Sequence, residues 1–465
     1  MLSRLTCHGM RWSRAKASLA PVSASSAPFA NVKCINAAVA DHGKRVQVRF
    51  CDGSMFEFHG LWLRDACRDS NVVSAAAGER YLSRIVFETG GDGSVAEAQL
   101  VDEGLKVSWA MEGEEMKTVH SIFSSEFLRL YAPVAGKHLE GATDHPSKES
   151  FKWLEPYTGF QHAPAPSMDL KKLWKNKNLP DQFQHRDTTS CMSDPEANLE
   201  LLQCLMKHGV VILDDVPPAP DASVLLKFAY DCLGGMQKDP ARDEPNWVIQ
   251  KKDAAQSVSY AQEKRLNNHT DQSVPAHGIP ALLLVVNYIE GTGVNTLVDG
   301  YAVAEALRER DPDAFRLLST YSNSQERDFV RSRVDSVQEG TQSLLIQTKQ
   351  PIIQTNIDGE IIRLQYNEVF RTPSTIPFDK FEDWYRAYLK FNDMIHGEEF
   401  QVEVPVGKGQ MLLLDNWRVL HGRAGGKSSP SRKIMGGTVV REAFHSKATQ
   451  LMGAHYPLPD KSAGR

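Results

Sequence analysis

The stretch "GQMLLLDNWRVLHGRAG", residues 409–425, predicts the fold of the larger part of this chain. A short apolar strand runs into a polar turn, and a second short run then leads to His421 and a glycine. A histidine just past such a turn is well placed to line the mouth of a barrel. Other short apolar runs between Gly and Asp turns, such as "VVILDDV" and "IPALLLVVNYI", precede it. Together they predict a mostly antiparallel β-sandwich or barrel with a few supporting helices.

Composition divides the chain into four segments. Residues 1–33 contain five basic and no acidic residues and are rich in Ser and Ala, which is typical of a mitochondrial transit peptide; a disordered basic tail is the alternative. Residues 34–135 alternate apolar and polar side chains around a turn at Asp52-Gly53, which predicts a small β-rich domain. Residues 136–190, with several prolines, are expected to form a connector, and residues 191–455 the main domain.

Charge and cysteine usage exclude several classes of function. The net charge of −5 argues against nucleic acid as a partner, because phosphate binding requires a basic face. No apolar run approaches the roughly 18 residues that cross a bilayer, so we expect no membrane-spanning segment. The seven cysteines are scattered without a CxxC pair, which predicts free thiols in a reducing compartment and no thiol nucleophile.

The stretch "RLNNHTDQSV", residues 265–274, carries a candidate metal site. Residues two apart in an extended strand point the same way, so His269 and Asp271 could bind one ion together. A non-haem Fe(II) centre needs two imidazoles and one carboxylate on one face, and His421 is the candidate for the third ligand. Taken singly, His269 and Asp271 equally fit a solvated loop, and His421 a surface histidine beside a glycine turn.

A fourth residue favours the metal interpretation. Arg432 opens "RKIMGGTVV", a predicted terminal strand, eleven residues after His421. An arginine there suits bidentate capture of the far carboxylate of an acid that chelates iron through its 2-oxo acid end. Thr296 could add a hydroxyl hydrogen bond to the same acid. The ordered set of H-x-D, then H, then R therefore predicts an iron site with a 2-oxo acid co-substrate.

Several motifs in order along the chain resemble the 2-oxoglutarate- and Fe(II)-dependent dioxygenases of the taurine dioxygenase class. Within that class, the sequence is most similar to the γ-butyrobetaine and trimethyllysine dioxygenases of carnitine biosynthesis. The motifs are "FHGLWLRDAC", "GVVILDDVPP", "NNHTD", "LVDGYAVAEAL", "IIRLQYNEVFRT" and "LLLDNWRVLHGR". They span about residues 45–445, which is nearly the whole chain after the predicted transit peptide.

This resemblance implies a fold, a cofactor set and a reaction. The fold would be a double-stranded β-helix (jelly-roll) with supporting helices, with Fe(II) on His269, Asp271 and His421. Arg432 would hold the C5 carboxylate of 2-oxoglutarate, with O2 as co-substrate and ascorbate as reductant. The reaction would be hydroxylation of a trimethylammonium acid in the mitochondrial matrix. Relatives of this kind are often dimers, so a homodimer is expected.

One departure from the relatives concerns zinc. The relatives carry an N-terminal zinc site made of clustered cysteines after "WLRD" and a later histidine. In this chain Cys67 is present, but Asp69 and Val72 stand where cysteines are expected, and His120 is the candidate for the histidine. Because a structural zinc site needs four good ligands, we expect the zinc site to be lost and Cys67 to be a packed thiol.

A second departure concerns the substrate. The resemblance places Trp247 and Tyr260 in an aromatic cage for a quaternary ammonium and Asn367 on the substrate carboxylate, although both aromatics could also be ordinary core residues. However, Gln272 and Thr438 stand where the butyrobetaine enzymes use aromatic residues. Three alternatives therefore stay open: the same chemistry on another small amine or acid, a catalytically silent binding module of this fold, and, more distantly, a metal-dependent hydrolase.

Overall fold

We describe a computed structural model of the chain. It describes residues 31–67, 93–109, 119–141, 174, 184–219, 221–238, 245–250, 265–271, 281–328 and 345–451. The predictions for residues 1–30, for Asp69 and Val72, and for Tyr260 and Gln272 lie outside these residues.

The N-terminal unit consists of two antiparallel sheets. The four-stranded sheet has the order β1 (Cys34–Ala40), β2 (Arg45–Phe50), β3 (Met55–His59), β7 (Gly136–Glu140), and the three-stranded sheet β4 (Val95–Val101), β5 (Gly104–Trp109), β6 (Val119–Ser124). The predicted hairpin is confirmed, because β2 pairs with β3 around Gly53, whose φ of 85° favours glycine. Strand β7 pairs with β3 although it lies beyond residue 135, where we expected this unit to end.

Two larger sheets form the main unit. The six-stranded sheet has the order β10 (Asn246–Gln250), β21 (Lys433–Val440), β12 (Ala281–Glu290), β19 (Met411–Asp415), β9 (Val210–Asp214), β8 (Gln184–Asp187). The four-stranded sheet has the order β11 (Leu266–His269), β20 (Val419–Arg423), β13 (Thr292–Asp299), β18 (Gln401–Gly407). Strands β8 and β9 are parallel, and the other neighbours in these two sheets are antiparallel. Two small hairpins are added: β14 (Ser322–Asp328) with β15 (Leu345–Pro351), and β16 (Ile353–Thr355) with β17 (Ile361–Leu364).

The described helices lie outside the two main sheets. They are α1 (Gly60–Asp65), α2 (Ser125–Ala135), α3 (Thr188–Ser193), α4 (Pro195–His208), α5 (Ser223–Leu233), α6 (Gly300–Arg310), α7 (Pro312–Thr320), α8 (Phe378–His396) and α9 (Arg441–Leu451). Helix α4 carries the sequence signals of a helix, an acidic residue in its first turn and a glycine after its last residue. Asp194 caps its N-terminus by accepting a hydrogen bond from the Glu196 amide, and Gly209 ends it in the left-handed conformation. None of the described helices is long and apolar enough to cross a membrane.

Three apolar clusters fix the relation between the sheets. One lies between the two main sheets and contains Ile212, Tyr288 and Leu412 from the six-stranded sheet and Leu297 and Val419 from the four-stranded one. A second joins the outer face of the six-stranded sheet to helices α3, α4, α5 and α9. The third joins helices α6, α7 and α8 to the N-terminal unit and to the outer face of the four-stranded sheet. A binding site can therefore form from side chains that point between the two main sheets where the apolar cluster does not fill the space.

Candidate metal centre

Three side chains that were predicted as metal ligands lie together on the four-stranded sheet. His269, the last residue of β11, is the cross-strand partner of His421 in β20. Asp271 lies just beyond the end of β11, and its Oδ1 is 3.5 Å from Nε2 of both histidines. One potential ligand atom from each of the three residues lies within 4.8 Å of the others. This is the spacing that a single bound ion requires.

Neighbouring residues orient two of the three side chains. The Nδ1–H of His269 donates to the Asn267 carbonyl at 2.7 Å, which leaves Nε2 directed at Asp271. The Asn416 side chain grips the backbone of Asp271, because its Oδ1 accepts from the Asp271 amide at 2.8 Å and its Nδ2 donates to the Asp271 carbonyl at 3.2 Å. Asn416 lies in the turn between β19 and β20, so the turn that delivers His421 also holds Asp271.

The glycine after His421 is required by the close approach of strands β11 and β20. A Cβ on Gly422 would lie 2.4 Å from the Leu266 carbonyl, 2.6 Å from Thr296 Oγ1 and 2.9 Å from Asn268 Oδ1. Real side chains do not reach such distances, so only glycine allows the two histidine-bearing strands to pair at this separation.

The electrostatics of the cluster favour metal-binding protonation states. Burial raises the pKa of Asp271, but the hydrogen bonds and charges of His269 and His421 outweigh it and hold that pKa well below its ordinary value. Burial and the adjacent imidazole of His269 lower the pKa of His421. A carboxylate and two neutral imidazoles are the forms that bind a cation. Two imidazole nitrogens and one carboxylate, without a thiolate, match the donor set of non-haem Fe(II).

Arg432 lies in a polar cluster on the inner side of the same unit. Its side chain is buried, with the guanidinium carbon 5.3 Å from the centre of the Tyr288 ring and Nη2 3.5 Å from the Tyr288 hydroxyl. That hydroxyl also exchanges two hydrogen bonds with the Asn295 amide, at 2.8 and 3.0 Å. Asn295 is two residues along β13 from Leu297, the cross-strand partner of His421. The cluster is thus about 7 Å along the strand from the histidines.

Thr296, the second residue predicted to contact the 2-oxo acid, faces away from the predicted metal ligands. Its cross-strand partner is Gly422, whereas His421 is paired with the inward-facing Leu297. Since successive residues of a strand point to opposite faces, Thr296 points toward the helices, where its hydroxyl donates to Asn268 Oδ1 at 2.6 Å. The inward polar residue that sequence reasoning missed is its neighbour Asn295.

The comparison with known proteins decides the family. Residues 175–438, more than half of the chain, match the family described as "Taurine catabolism dioxygenase TauD, TfdA family". This chain belongs to the TauD, TfdA family. It is accordingly a dioxygenase, and the resemblance to Fe(II)- and 2-oxoglutarate-dependent enzymes is confirmed by a family match whose range contains all four of His269, Asp271, His421 and Arg432.

Curated relatives within the family match over most of their length. Gamma-butyrobetaine dioxygenase of Pongo abelii is 31% identical over 82% of this chain and 87% of that protein. Gamma-butyrobetaine dioxygenase of Pseudomonas sp. (strain AK-1) is 27% identical over 89% and 96%. Mitochondrial trimethyllysine dioxygenase of Gallus gallus is 23% identical over 82% and 80%. Among solved structures, an Fe, alpha-ketoglutarate dependent oxygenase from an isonitrile synthetic pathway is 13% identical, with a TM-score of 0.38 over 60% of this chain and 95% of that one.

Two of the residues that the resemblance assigned to substrate binding can be placed in this TauD, TfdA family member. Trp247 in β10 packs at the edge of the inner apolar cluster, and its cross-strand partner is Gly436, so no side chain from that position covers the indole. Thr438 is two residues further along β21 and faces the same side. Asn367 is buried beside the ligands, where its Nδ2 donates to the Thr270 carbonyl at 3.0 Å and its Oδ1 accepts from the Val369 amide.

Two residues of the expected zinc site, Cys67 and His120, are described by the structure, and they differ in exposure. Cys67 is buried at the end of α1, as expected for a packed thiol, whereas His120 is exposed on β6. With Asp69 and Val72 outside the described residues, the loss of zinc stays a prediction.

Proposed function

We propose that this chain is an Fe(II)- and 2-oxoglutarate-dependent dioxygenase that hydroxylates a trimethylammonium acid, either γ-butyrobetaine or trimethyllysine, in carnitine biosynthesis. The observation that carries the proposal is the His269, Asp271, His421 cluster in a chain whose curated relatives are named gamma-butyrobetaine and trimethyllysine dioxygenases. The two facing sheets would form a double-stranded β-helix (jelly-roll) around this cluster.

The protein's contribution at the metal is to hold three ligands and leave the remaining positions open. His269, Asp271 and His421 would hold Fe(II), since their donor atoms already converge and the lowered pKa values of Asp271 and His421 favour the forms that bind a cation. When bound, Fe(II) and 2-oxoglutarate would supply an oxidation in which 2-oxoglutarate loses CO2, one oxygen atom of O2 enters the succinate formed, and the other converts a substrate C–H bond to C–OH. Asn416 and the Asn267 carbonyl keep the ligands in place.

Arg432 would hold the far carboxylate of 2-oxoglutarate. A planar guanidinium suits a carboxylate, and Tyr288 fixes this one by its hydroxyl and ring. Burial and the positive charge of Arg432 lower the pKa of Arg423 to about 10. Arg423 is therefore a second buried guanidinium that contributes positive potential beside Arg432. A dianionic co-substrate would neutralise that potential.

Trp247 would contact the trimethylammonium group. A cation over an indole face gains about 0.5 to 2 kcal/mol, and the glycine opposite Trp247 leaves room for such a ligand. Thr438 on the same side would widen the site relative to one lined by a further aromatic residue. A mixed lining of this kind is also the observation that favours the second candidate substrate class, another small amine or acid.

The test is succinate formation from 2-oxoglutarate under O2 with Fe(II) and ascorbate. We expect γ-butyrobetaine or trimethyllysine to stimulate it and the tert-butyl isostere of the active acid, which has the same shape without the charge, to do so poorly. Trp247→Leu should raise KM for the trimethylammonium acid roughly 2- to 30-fold. His269→Ala is the control without turnover. Stimulation by other amines only would favour the second class, and equal succinate from wild type and His269→Ala would refute the oxygenase.

We also propose that the protein acts in the mitochondrial matrix. The support is the basic, Ser- and Ala-rich composition of residues 1–33. A fusion of residues 1–33 to a fluorescent reporter should enter mitochondria, whereas the same segment with its four arginines and lysines before residue 20 replaced by glutamine should stay in the cytosol. Cytosolic residence of the unaltered fusion would overturn the proposal.

A further inference from the structure

A buried ion pair joins the N-terminal unit to the main unit. Asp65 is the last residue of α1. Its Oδ2 accepts a hydrogen bond from Nη1 of Arg371 at 2.6 Å, and its Oδ1 accepts one from Nη2 of the same guanidinium. Both side chains are only 1% exposed. Arg371 Nε donates to Glu368 Oε1 at 2.9 Å, so one guanidinium is held by two carboxylates. Burying these charges is costly unless they are paired with good geometry, so Arg371 has a strongly preferred position that depends on Asp65.

The segment that carries Arg371 also holds the residue between two proposed metal ligands. Thr270 donates its amide to the Tyr366 carbonyl at 2.7 Å, and its hydroxyl accepts from the Tyr366 amide at 3.1 Å. Asn367 Nδ2 donates to the Thr270 carbonyl at 3.0 Å. Thr270 is buried and is linked directly to His269 on one side and Asp271 on the other. Any displacement of residues 366–371 would therefore change the separation of these two ligands.

We propose that Asp65 of the N-terminal unit is a positioning residue for the metal centre. Through the guanidinium of Arg371 it holds residues 366–371 in register with Thr270, and it thereby sets the geometry in which His269 and Asp271 share one ion. The inference rests on the proposed function, because it requires that these two residues are metal ligands. It assigns the N-terminal unit a part in metal binding and not only in assembly.

The chain offers a matched control for this role. Glu382 also joins the units, since its Oε1 accepts from Arg45 at 2.7 Å and lies 3.1 Å from His59 Nδ1. It lies near the start of α8, whereas the contacts of α8 with Asn268 are made at its last turn by Ile395 and His396. About 20 Å of helix separates the two ends. Glu382→Gln therefore weakens the junction of the units at Arg45 and His59, whereas α8 contacts residues 366–371 further along the helix, through Tyr388 and Asn392.

The experiment measures Co(II) binding to the purified full chain by its ligand-field absorption, together with thermal unfolding. Asp65→Asn should weaken Co(II) binding about tenfold, the lower end of the range for groups that orient metal ligands, and Glu382→Gln should leave it within about twofold. Asp65→Asn removes the charge of Asp65 and leaves Arg371 with Glu368 as its carboxylate partner. A second variant therefore replaces the whole buried charge cluster, Asp65→Leu with Arg371→Met and Glu368→Gln, because uncharged residues in place of a buried ion triad commonly preserve stability. We expect the same loss of Co(II) affinity from this folded triple variant.

The outcomes separate the inference from the proposed function. Wild-type Co(II) affinity in either folded Asp65 variant would overturn the positioning role. An equal loss of affinity in Glu382→Gln would also overturn it, because the effect would then follow loosening of the units in general. Failure of the wild-type chain itself to bind Co(II), or binding that survives His269→Ala, would instead contradict the proposed metal centre.

Discussion

Replacing Gly422 by alanine should separate the two strands that carry the histidines. The new Cβ would lie 2.4 Å from the Leu266 carbonyl oxygen, and ordinary van der Waals contact begins at 3.4 Å, so β11 must move by about 1 Å relative to β20. Because the nearest atom belongs to the backbone, no side-chain rotation can relieve the contact. Overpacking of this kind costs about 1 to 3 kcal/mol. We expect the free energy of unfolding to fall by about 2 kcal/mol.

The same movement acts on the metal centre, because His269 lies on β11 and His421 on β20. A misplacement of about 1 Å at a site can reduce function by about a hundredfold, so we expect Co(II) affinity to fall by at least tenfold. Urea unfolding gives the first quantity and titration of Co(II) absorption the second. Gly397→Ala is the control, since its φ of −75° suits any residue and its Cβ would lie 3.1 Å from the Asp393 carbonyl oxygen, so the backbone need move by only about 0.3 Å.

The double variant Gly422→Ala with Thr296→Ala tests the cause. It removes the hydroxyl that would lie 2.6 Å from the new Cβ but leaves the Leu266 carbonyl in place. We therefore expect neither the free energy of unfolding nor the Co(II) affinity to return to the wild-type value. Recovery of Co(II) binding in the double variant would refute the backbone argument. A Gly422→Ala variant that unfolds and binds Co(II) as the wild type does would refute the reasoning altogether.

Three further predictions follow from the same geometry. Arg432→Lys keeps the positive charge but loses the planar guanidinium, which can bind both oxygens of a carboxylate. KM for 2-oxoglutarate should therefore rise at least tenfold in the succinate assay. An unchanged KM would show that Arg432 does not bind 2-oxoglutarate. Thr296→Val should leave this KM unchanged, because Thr296 faces the helices, and should cost about 1 kcal/mol of stability by urea unfolding through its lost bond to Asn268. Burial raises the pKa of Cys232 to about 12, so the thiolate fraction at pH 8 is about 10⁻⁴. Mass spectrometry after iodoacetamide treatment at that pH should find the exposed Cys51 modified and Cys232 intact, and early modification of Cys232 would show that its burial is transient.

Much of the secondary structure was predictable from local patterns. The run "VVILD" after a terminal glycine is β9, "YAVAEALRER" lies within α6, and "ALLLVVNYI" forms all but the last residue of β12. Helix α8 was not predicted, although Trp384, Tyr388, Phe391 and Ile395 recur at helical spacing and are all buried. The spacing of these apolar residues is therefore a local signal of the helix.

The site was predictable in its residue types and less so in their orientation. His269, Asp271 and His421 were found because H-x-D followed by H and R is informative as an ordered set. The orientation of Thr296 could not be predicted for a physical reason. Nearly every residue of β13 is buried, since one face meets the inner cluster and the other the helices. A strand buried on both sides shows no apolar and polar alternation, so its sequence does not reveal which residues point inward, and a shift of one residue exchanges the faces.

The hydrogen bonds that hold the metal ligands in place could not be predicted from the sequence motifs. Thr270 is bound by Tyr366, 96 residues away, Asp271 by Asn416, 145 residues away, and Asp65 by Arg371, 306 residues away. The motifs that contain these partners do not reveal the contacts, because Tyr366 lies in an irregular segment, Asn416 in a turn and Arg371 at an isolated β-bridge, and the role of each depends on which residue the fold places opposite it. Residues that supply ligands are therefore readable from spacing, whereas residues that set ligand geometry are readable only from contacts. A substitution far from His269 in sequence, such as Asp65→Asn, therefore tests how the ligand geometry is set. Removal of a ligand is less informative, because any metal site loses affinity when a ligand is removed.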